Sequence, residues 1–257
     1  MAKEKKIVDI TESDEKSNER YGKDASGRII KLEDKGDSKQ RAKTNRIFAI
    51  ILWIFAIACE VIGILRLTNH INWFSNMNTT TFLIVAIVLD LLFFIPGSLL
   101  WKKANHIDPI SEKNKTKFWM WNNLGTILSV LAFLPIIIFV LSNKDLDKKS
   151  KTLVTAVAAV ALIIAGVSSY DFNPVSSEQL SQAQKEVEAV GKNKNANGQY
   201  VVYWAPNSKK YHVDPDCPAF SNSETVYEGT VQQAFERNLT EPCRRCIPEL
   251  DNHDHSE

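Results

Sequence analysis

Four long apolar runs, Ile47 to Leu67, Thr81 to Trp101, Phe118 to Leu141 and Leu153 to Tyr170, constrain this 257-residue chain more than any other feature. A helix rising ~1.5 Å per residue needs about 20 apolar residues to cross a ~30 Å hydrocarbon core. The first three runs reach that length. The fourth is shorter, but it is almost continuous Ala, Val, Leu, Ile and Gly, which suits close helix packing in lipid. Glu60 and Arg66 interrupt the first run and Asp90 the second, where a Pro96-Gly97 pair can kink a transmembrane helix without ending it. Buried helices of a soluble domain would show a polar stripe, and these runs show none. The sequence therefore predicts a mainly α transmembrane bundle of four spans, about 47–67, 81–101, 118–141 and 153–170. Trp73, Trp101, Trp119 and Trp121 lie near the ends of the spans, where amphipathic indoles collect at headgroup level.

Basic residues orient the bundle. Lys31, Lys35, Lys39, Arg41, Lys43 and Arg46 precede the first span and place the N-terminus in the cytoplasm. The loop Thr68 to Thr80 has no Lys or Arg and fits the outside, whereas Lys102, Lys103, Lys113, Lys115 and Lys117 fit the inside. The next alternation conflicts with the rule, because it puts Lys144, Lys148, Lys149 and Lys151 outside and the stretch after Tyr170 inside. A re-entrant third run, containing Asn122, Asn123 and Pro135, would leave three spans and an external C-terminal part. A 24-residue apolar run is seldom re-entrant. Four spans with a cytoplasmic C-terminal domain in the cell membrane are therefore expected.

Outside the spans the chain is polar. Residues 1–45 carry twelve Lys/Arg and ten Asp/Glu with few large apolar residues, too few to offset the entropy of ordering, and read as a disordered cytoplasmic tail. No apolar stretch follows the early lysines, so no signal peptide is expected and the tail should stay on the protein. Residues 171–198 read as a spacer helix and linker. Ser176 and Gln179 have capping-box spacing, Gly191 suits the helix end, and Lys192 to Gly198 is a linker by composition. The final 251–257 is an acidic tail whose His253 and His255 are taken as solvated.

The net charge of +1 excludes a field of one sign, and four cysteines exclude a disulfide-dense secreted scaffold. Three of those cysteines fall near the C-terminus, where His212, Cys217, Cys243 and Cys246 form a Cys3His set. A Cys-x2-Cys turn brings two sulfurs to one point, and the His and third Cys complete a tetrahedron suited to Zn²⁺. Four protein ligands leave no position for a reactive water, so the zinc would be structural. The alternatives are a Cys243–Cys246 redox disulfide or unpaired thiols. A thioredoxin-like pair belongs beside a βαβ pattern, which is absent. Around the ligands, Tyr200 to Trp204 and Lys209 to Val213 read as two strands joined at Pro206-Asn207-Ser208. Val226-Tyr227 reads as a third, and Thr230 with Gln233 opens a helix running through Ala234, Phe235 and Leu239. The expected product is a small α+β module over 199–250 whose folding depends on bound metal.

The stretches Tyr211 to Ala219, Gln232 to Arg237 and Glu241 to Pro248 resemble the N-terminal zinc domain of the bacterial Ada methylphosphotriester repair protein. Similar Ada-like modules end bacterial nucleases and competence-type proteins. The resemblance covers roughly 200–248 and implies metal ligation by Cys217, Cys243 and Cys246. In the repair domain the first ligand is a cysteine that accepts the methyl group. Here that position is His212, so methyl transfer is not implied.

DNA binding is also disfavoured. From Gln199 to Leu250, five Lys/Arg face seven Asp/Glu for a net charge of −2, whereas nucleic-acid affinity begins with a basic face. Arg244 and Arg245 are read as compensating the anionic metal centre. In the spans, Glu60 and Asp90 would each cost up to roughly 3 kcal/mol if charged and unpaired. Either they form a proton or cation site, or they are protonated and bonded to Asn122, Asn123 or a facing Ser/Thr. The second is preferred, since no repeat or broken-helix pair supports transport. No nucleotide-binding loop or catalytic-triad spacing is present, and no enzyme is expected.

The leading expectation is a multi-pass bacterial-type membrane protein carrying a structural-zinc, Ada-like module for interaction or sensing. The lipid bilayer and a protein partner would be its contacts. The alternatives are a membrane-associated DNA-binding protein in uptake or repair, and a small transporter using Glu60 and Asp90.

Overall fold

The computed structural model describes residues 6–9, 21–23, 29–31, 35–71, 75–195, 198–221, 223 and 225–248, with side chains from Ser38 onward. The chain divides into two compact units, one comprising residues 41–105 and 113–174, the other residues 1–40, 106–112 and 175–257. The sequence-based expectations for Trp73, for His253 and His255, and for much of the N-terminal tail fall outside the described residues.

Within the first unit lie most of α1 (Lys35–Leu67) and α2 (Thr79–Ile107), together with α3 (Lys115–Asn122), α4 (Leu124–Ser142) and α5 (Lys148–Ser169). Four of these, α1, α2, α4 and α5, are long and apolar enough to cross a membrane. Their outward faces carry large apolar residues such as Ile54, Leu92, Leu131 and Ile163, each 60–64% exposed. A soluble protein seldom leaves rows of such side chains uncovered, and these faces are compatible with a lipid environment.

Helix α1 starts at Lys35, about eleven residues before the expected span, so the tail is shorter than its composition indicated. Lys, Gln, Arg and Ala between residues 35 and 45 are good helix formers, and a nucleated apolar helix propagates through them. The third apolar run also differs. It breaks at Asn123 (φ −108°, ψ 21°) into α3 and α4. Asn122 Nδ2 donates to Phe118 O at 3.0 Å and Asn123 Nδ2 to Trp119 O at 3.1 Å, the local side-chain competition that unsettles helices at asparagine. The 19 residues of α4 still give a rise of ~28 Å, and neither Pro135 in α4 nor Pro96 in α2 ends its helix.

Small residues set the closest packing. On α5, Val154, Ala158, Ala161 and Ala165 form a buried stripe at helical spacing, matched on α4 by Gly125, Ser129, Ala132, Phe133, Ile136 and Val140. A Cβ on Gly125 would lie 2.9 Å from Ser98 Oγ and 3.0 Å from Ser169 Cβ, so α2, α4 and α5 meet there with room only for hydrogen. Trp101, expected near a span end, packs inside the bundle. It is buried, stacks at 5.4 Å on Trp53 and 5.1 Å on Trp121, and donates Nε1–H to Trp121 O at 2.9 Å. Trp119, half exposed, fits the interfacial role.

In the second unit, a three-stranded sheet has the order β1 (Lys6–Asp9), β6 (Thr225–Thr230), β4 (Val201–Trp204). Strand β4 is antiparallel to β6, with Val201 opposite Thr230, and β1 is parallel to it. Beside it, β5 (Lys210–Tyr211) pairs in parallel with β7 (Glu241–Pro242). The expected hairpin of 200–204 with 209–213 is reduced to one bridge, Tyr203 with His212, while Lys210 and Tyr211 pair with β7. Strands β2 (Tyr21–Lys23) and β3 (Ile29–Lys31) form a separate antiparallel pair.

Helix α6 (Ser177–Val190) opens with the expected capping box, Gln179 N–H donating to Ser176 Oγ and Ser176 N–H to Gln179 Oε1, both at 3.0 Å. It is not a spacer. Leu180, Ala183 and Val187 pack in one core with Val202, Trp204, Tyr211, Val231, Phe235 and Ile247, so the module begins near Val175 rather than at 199. Gly191 ends α6 in extended conformation, without a left-handed turn. A Cβ there would meet Val187 O at 2.5 Å and the Tyr200 ring at 2.8 Å. Helix α7 (Val231–Glu236) carries the second capping box, Thr230 with Gln233, and stops before Leu239 at Asn238, whose φ is +63°.

Candidate metal centre

Three short segments of the module deliver four ligand atoms to one point. The Tyr203–His212 bridge, with N–H···O distances of 2.7 and 2.8 Å, fixes the backbone that presents the imidazole. A turn held by Asp216 N–H on Asp214 Oδ1 (2.9 Å) leads to Cys217, which caps the 3-10 turn Pro218–Phe220. Cys243 leaves β7 with its N–H on Tyr211 O at 2.9 Å, and Cys246 N–H and Ile247 N–H fold back onto Cys243 O at 3.2 and 2.8 Å. This tight turn makes a Cys-x2-Cys pair converge.

The nitrogen of His212 and the sulfurs of Cys217, Cys243 and Cys246 all lie within 4.8 Å of one another. His212 Nδ1 is 3.7 Å from Cys246 Sγ. His212, Cys217 and Cys243 are buried, Cys246 is half-buried, and none of these cysteines is in a disulfide. Phe220 packs on the His212 ring at 4.3 Å between centroids. Cys217, Cys243 and Phe220 share a small core with Val201, Tyr203 and Val226, and Cys246 touches both this core and that of α6 and α7. The cluster is therefore the point where two small cores join.

Its protonation suits a cation. Burial pushes His212 down to about 4, against the pull of Asp214, so the imidazole is neutral and can ligate at pH 7. Burial, reinforced by the neighbouring Cys243 and Cys217 sulfurs, pushes Cys246 up to about 11, with the backbone amides of Val213 and Asp214 opposing. Burial also acts to raise Cys243. The Arg245 and Cys246 amides and the adjacent thiols outweigh it and hold Cys243 below its ordinary value. Three crowded sulfurs resist becoming thiolates together unless a cation sits among them.

All four ligands expected from the sequence are thus brought together. Cys59, on α1, lies apart from them in the other unit. Arg244 also has a partner on α6, since its Nη1 lies 3.3 Å from Glu186 Oε2, a buried carboxylate. That pair ties the knuckle to α6. Sequence reasoning missed it because α6 was not read as part of the module. It also missed the segment 106–112, which docks on α6 and α7: Gln232 Nε2–H donates to Ile107 O at 2.7 Å, and Ser177 N–H to Ile110 O at 3.1 Å. Glu178 accepts from the Ser111 hydroxyl and from Glu112 N–H, bonds that hold its carboxyl down at about 2. No spacing rule marks residues of one loop as partners of a helix some 70 positions away.

Compared with protein-family models, curated proteins and solved structures, the chain gives no match.

Proposed function

We propose that this chain is a multi-pass membrane protein that carries a structural-zinc module on its lysine-rich, cytoplasmic face as an interaction or sensing domain. The convergence of His212, Cys217, Cys243 and Cys246 carries the reading. A tetrahedral ion with Zn–S of ~2.3 Å and Zn–N of ~2.05 Å holds ligand atoms about 3.6–3.8 Å apart; His212 Nδ1 and Cys246 Sγ, at 3.7 Å, are at that spacing, and all four atoms, within 4.8 Å of one another, are near enough for an ion to draw in. A set of three thiolates and one imidazole favours zinc over hard, oxygen-seeking ions and fills its coordination. No coordination position is left for a reactive water, and the role of the ion is to hold the two small cores together. The likeness to the Ada zinc domain supports the same ligand frame, with His212 in place of the methyl-accepting cysteine.

The composition of the module's own unit supports the membrane arrangement proposed. It includes residues 1–40, which precede the first span, 106–112, which join the second and third, and 175–248, which follow the fourth. Three such segments lie on one side of a membrane only if the chain crosses an even number of times between them. An even number supports four spans, and with the lysine-rich flank before the first span it supports a cytoplasmic module. Single cysteines introduced at Met77, Lys113 and Asn207 test it with a membrane-impermeant maleimide in intact cells. Met77→Cys should label while Lys113→Cys and Asn207→Cys stay protected until the cells are opened; labelling of Asn207→Cys in intact cells would reject the arrangement. The net charge of −2 argues against DNA as the partner. The full chain should show no salt-dependent DNA binding at low ionic strength.

A further inference from the structure

Two carboxyl groups in the bundle have no part in the metal-dependent reading. Glu60 on α1 is 6% exposed and Asp90 on α2 is 2% exposed, and Glu60 Oε1 and Asp90 Oδ1 have no hydrogen-bond partner. The asparagines expected to bond them are engaged with their own helix, at Phe118 O and Trp119 O.

Two close approaches fix the register of α1 against α2. A Cβ on Gly63 would lie 3.5 Å from Ala86 Cβ, and one on Gly97 would lie 3.0 Å from the Trp53 ring. The partner of a residue therefore moves up α2 as one moves down α1. One turn from Gly63 toward the start of α1 is Glu60, and one turn from Ala86 toward the end of α2 is Asp90. The two carboxyl groups are set opposite each other, within ~1.5 Å in depth by the rise per residue. Ile136 of α4, whose Cδ1 is 3.6 Å from the same Gly63 position, closes the layer.

No described cation faces this pair. On α1 the other titratable residues nearby are Cys59, next in sequence, and Arg66, six residues on and turned roughly 120° away at 3.6 residues per turn. Helix α2 has none other between Thr79 and Lys102, α4 has none, and those of α5 are Lys148, Lys149 and Lys151 at its first turn. Two carboxylates facing each other in a dry core cannot both remain ionised, and an unpaired charge within a span is costly. One proton held between them removes the repulsion, supplies the missing partner for each orphan oxygen and makes a strong charge-assisted hydrogen bond.

We propose that Glu60 and Asp90 form a proton-binding site inside the transmembrane bundle, one proton being shared by the two carboxyl groups. The pair takes up or releases that single proton, and no other reactant is needed.

The test uses the full chain in liposomes with dicyclohexylcarbodiimide, an apolar reagent that reaches carboxyl groups through lipid. A protonated carboxyl adds across its C=N bond and rearranges to a stable N-acylurea with no leaving group. At neutral pH, peptide mass spectrometry should find one adduct per chain, on Glu60 or Asp90, with labelling falling as pH rises. The adduct should be lost in the Glu60→Gln/Asp90→Asn double variant. No adduct on either residue in the wild-type chain overturns the proposal. Two adducts per chain overturn it as well, since both groups would then be fully protonated. Protection by Na⁺ but not by choline would make an alkali cation the occupant and reject the proton.

Discussion

Removing the metal should unfold the C-terminal module while leaving the bundle folded. The module, with α6 included, spans roughly 75 residues, and at ~0.05–0.15 kcal/mol per residue such a domain holds about 4–11 kcal/mol of net stability. Structural zinc in small domains supplies about 10–16 kcal/mol at neutral pH. The metal contribution therefore equals or exceeds the whole, and the stripped module should not persist as a folded state. Geometry points the same way, because Cys246 touches both small cores, and once the cation has gone the sulfurs take up protons and nothing ties the two cores at that point. Hydrogen exchange read by mass spectrometry on the full chain in detergent, with and without a strong chelator, resolves the two units. Peptides over 201–204 and 225–236 should lose protection, while those over 125–140 and 154–165 should keep it. If metal loss is verified by elemental analysis and protection of β4 and β6 is unchanged, the argument that the metal joins the cores is wrong.

Other expectations are more local. Gly191→Ala places a Cβ 2.5 Å from Val187 O, a backbone atom, and should destabilise the module by about 1–3 kcal/mol in a denaturant titration; an unchanged midpoint would contradict the packing. Gly97→Ala meets the Trp53 ring at 3.0 Å and Ala49 O at 3.1 Å, and should destabilise the bundle by about 1–3 kcal/mol, seen as a lower thermal midpoint. Glu186→Ala removes the partner of half-exposed Arg244 and should cost about 1 kcal/mol, with Arg244→Ala adding little more in the double variant. Glu178→Ala removes the acceptor for Ser111 and Glu112, and exchange at 108–112 should quicken without loss of metal.

How far the chain was legible follows from where its constraints are local. The spans were readable because lipid demands about 20 apolar residues whatever the packing, and α2, α4 and α5 fall within a few residues of their runs. The ligand set was readable because Cys243 and Cys246 sit in one turn whose geometry is encoded in four residues. The break at Asn123 was not. Asparagine is tolerated in helices, and only the bonds to Phe118 O and Trp119 O decide against continuity. The packing of Trp101 was not readable for a related reason, since its buried partner, Trp121 O, lies on another helix. The membership of α6 and of 106–112 in the module rests on contacts between distant segments, Glu186 with Arg244 and Gln232 with Ile107 O, which no periodicity records.

The central claim is that four side chains hold one structural zinc ion, and the metal content of the purified full chain tests it most directly. Elemental analysis should find about one zinc per chain. That zinc should be lost or readily stripped in His212→Ala and in the Cys243→Ser/Cys246→Ser double variant, and retained in Glu60→Gln. A wild-type chain whose module is folded without stoichiometric metal, or a His212→Ala variant that retains zinc as firmly as the wild type, would contradict the account.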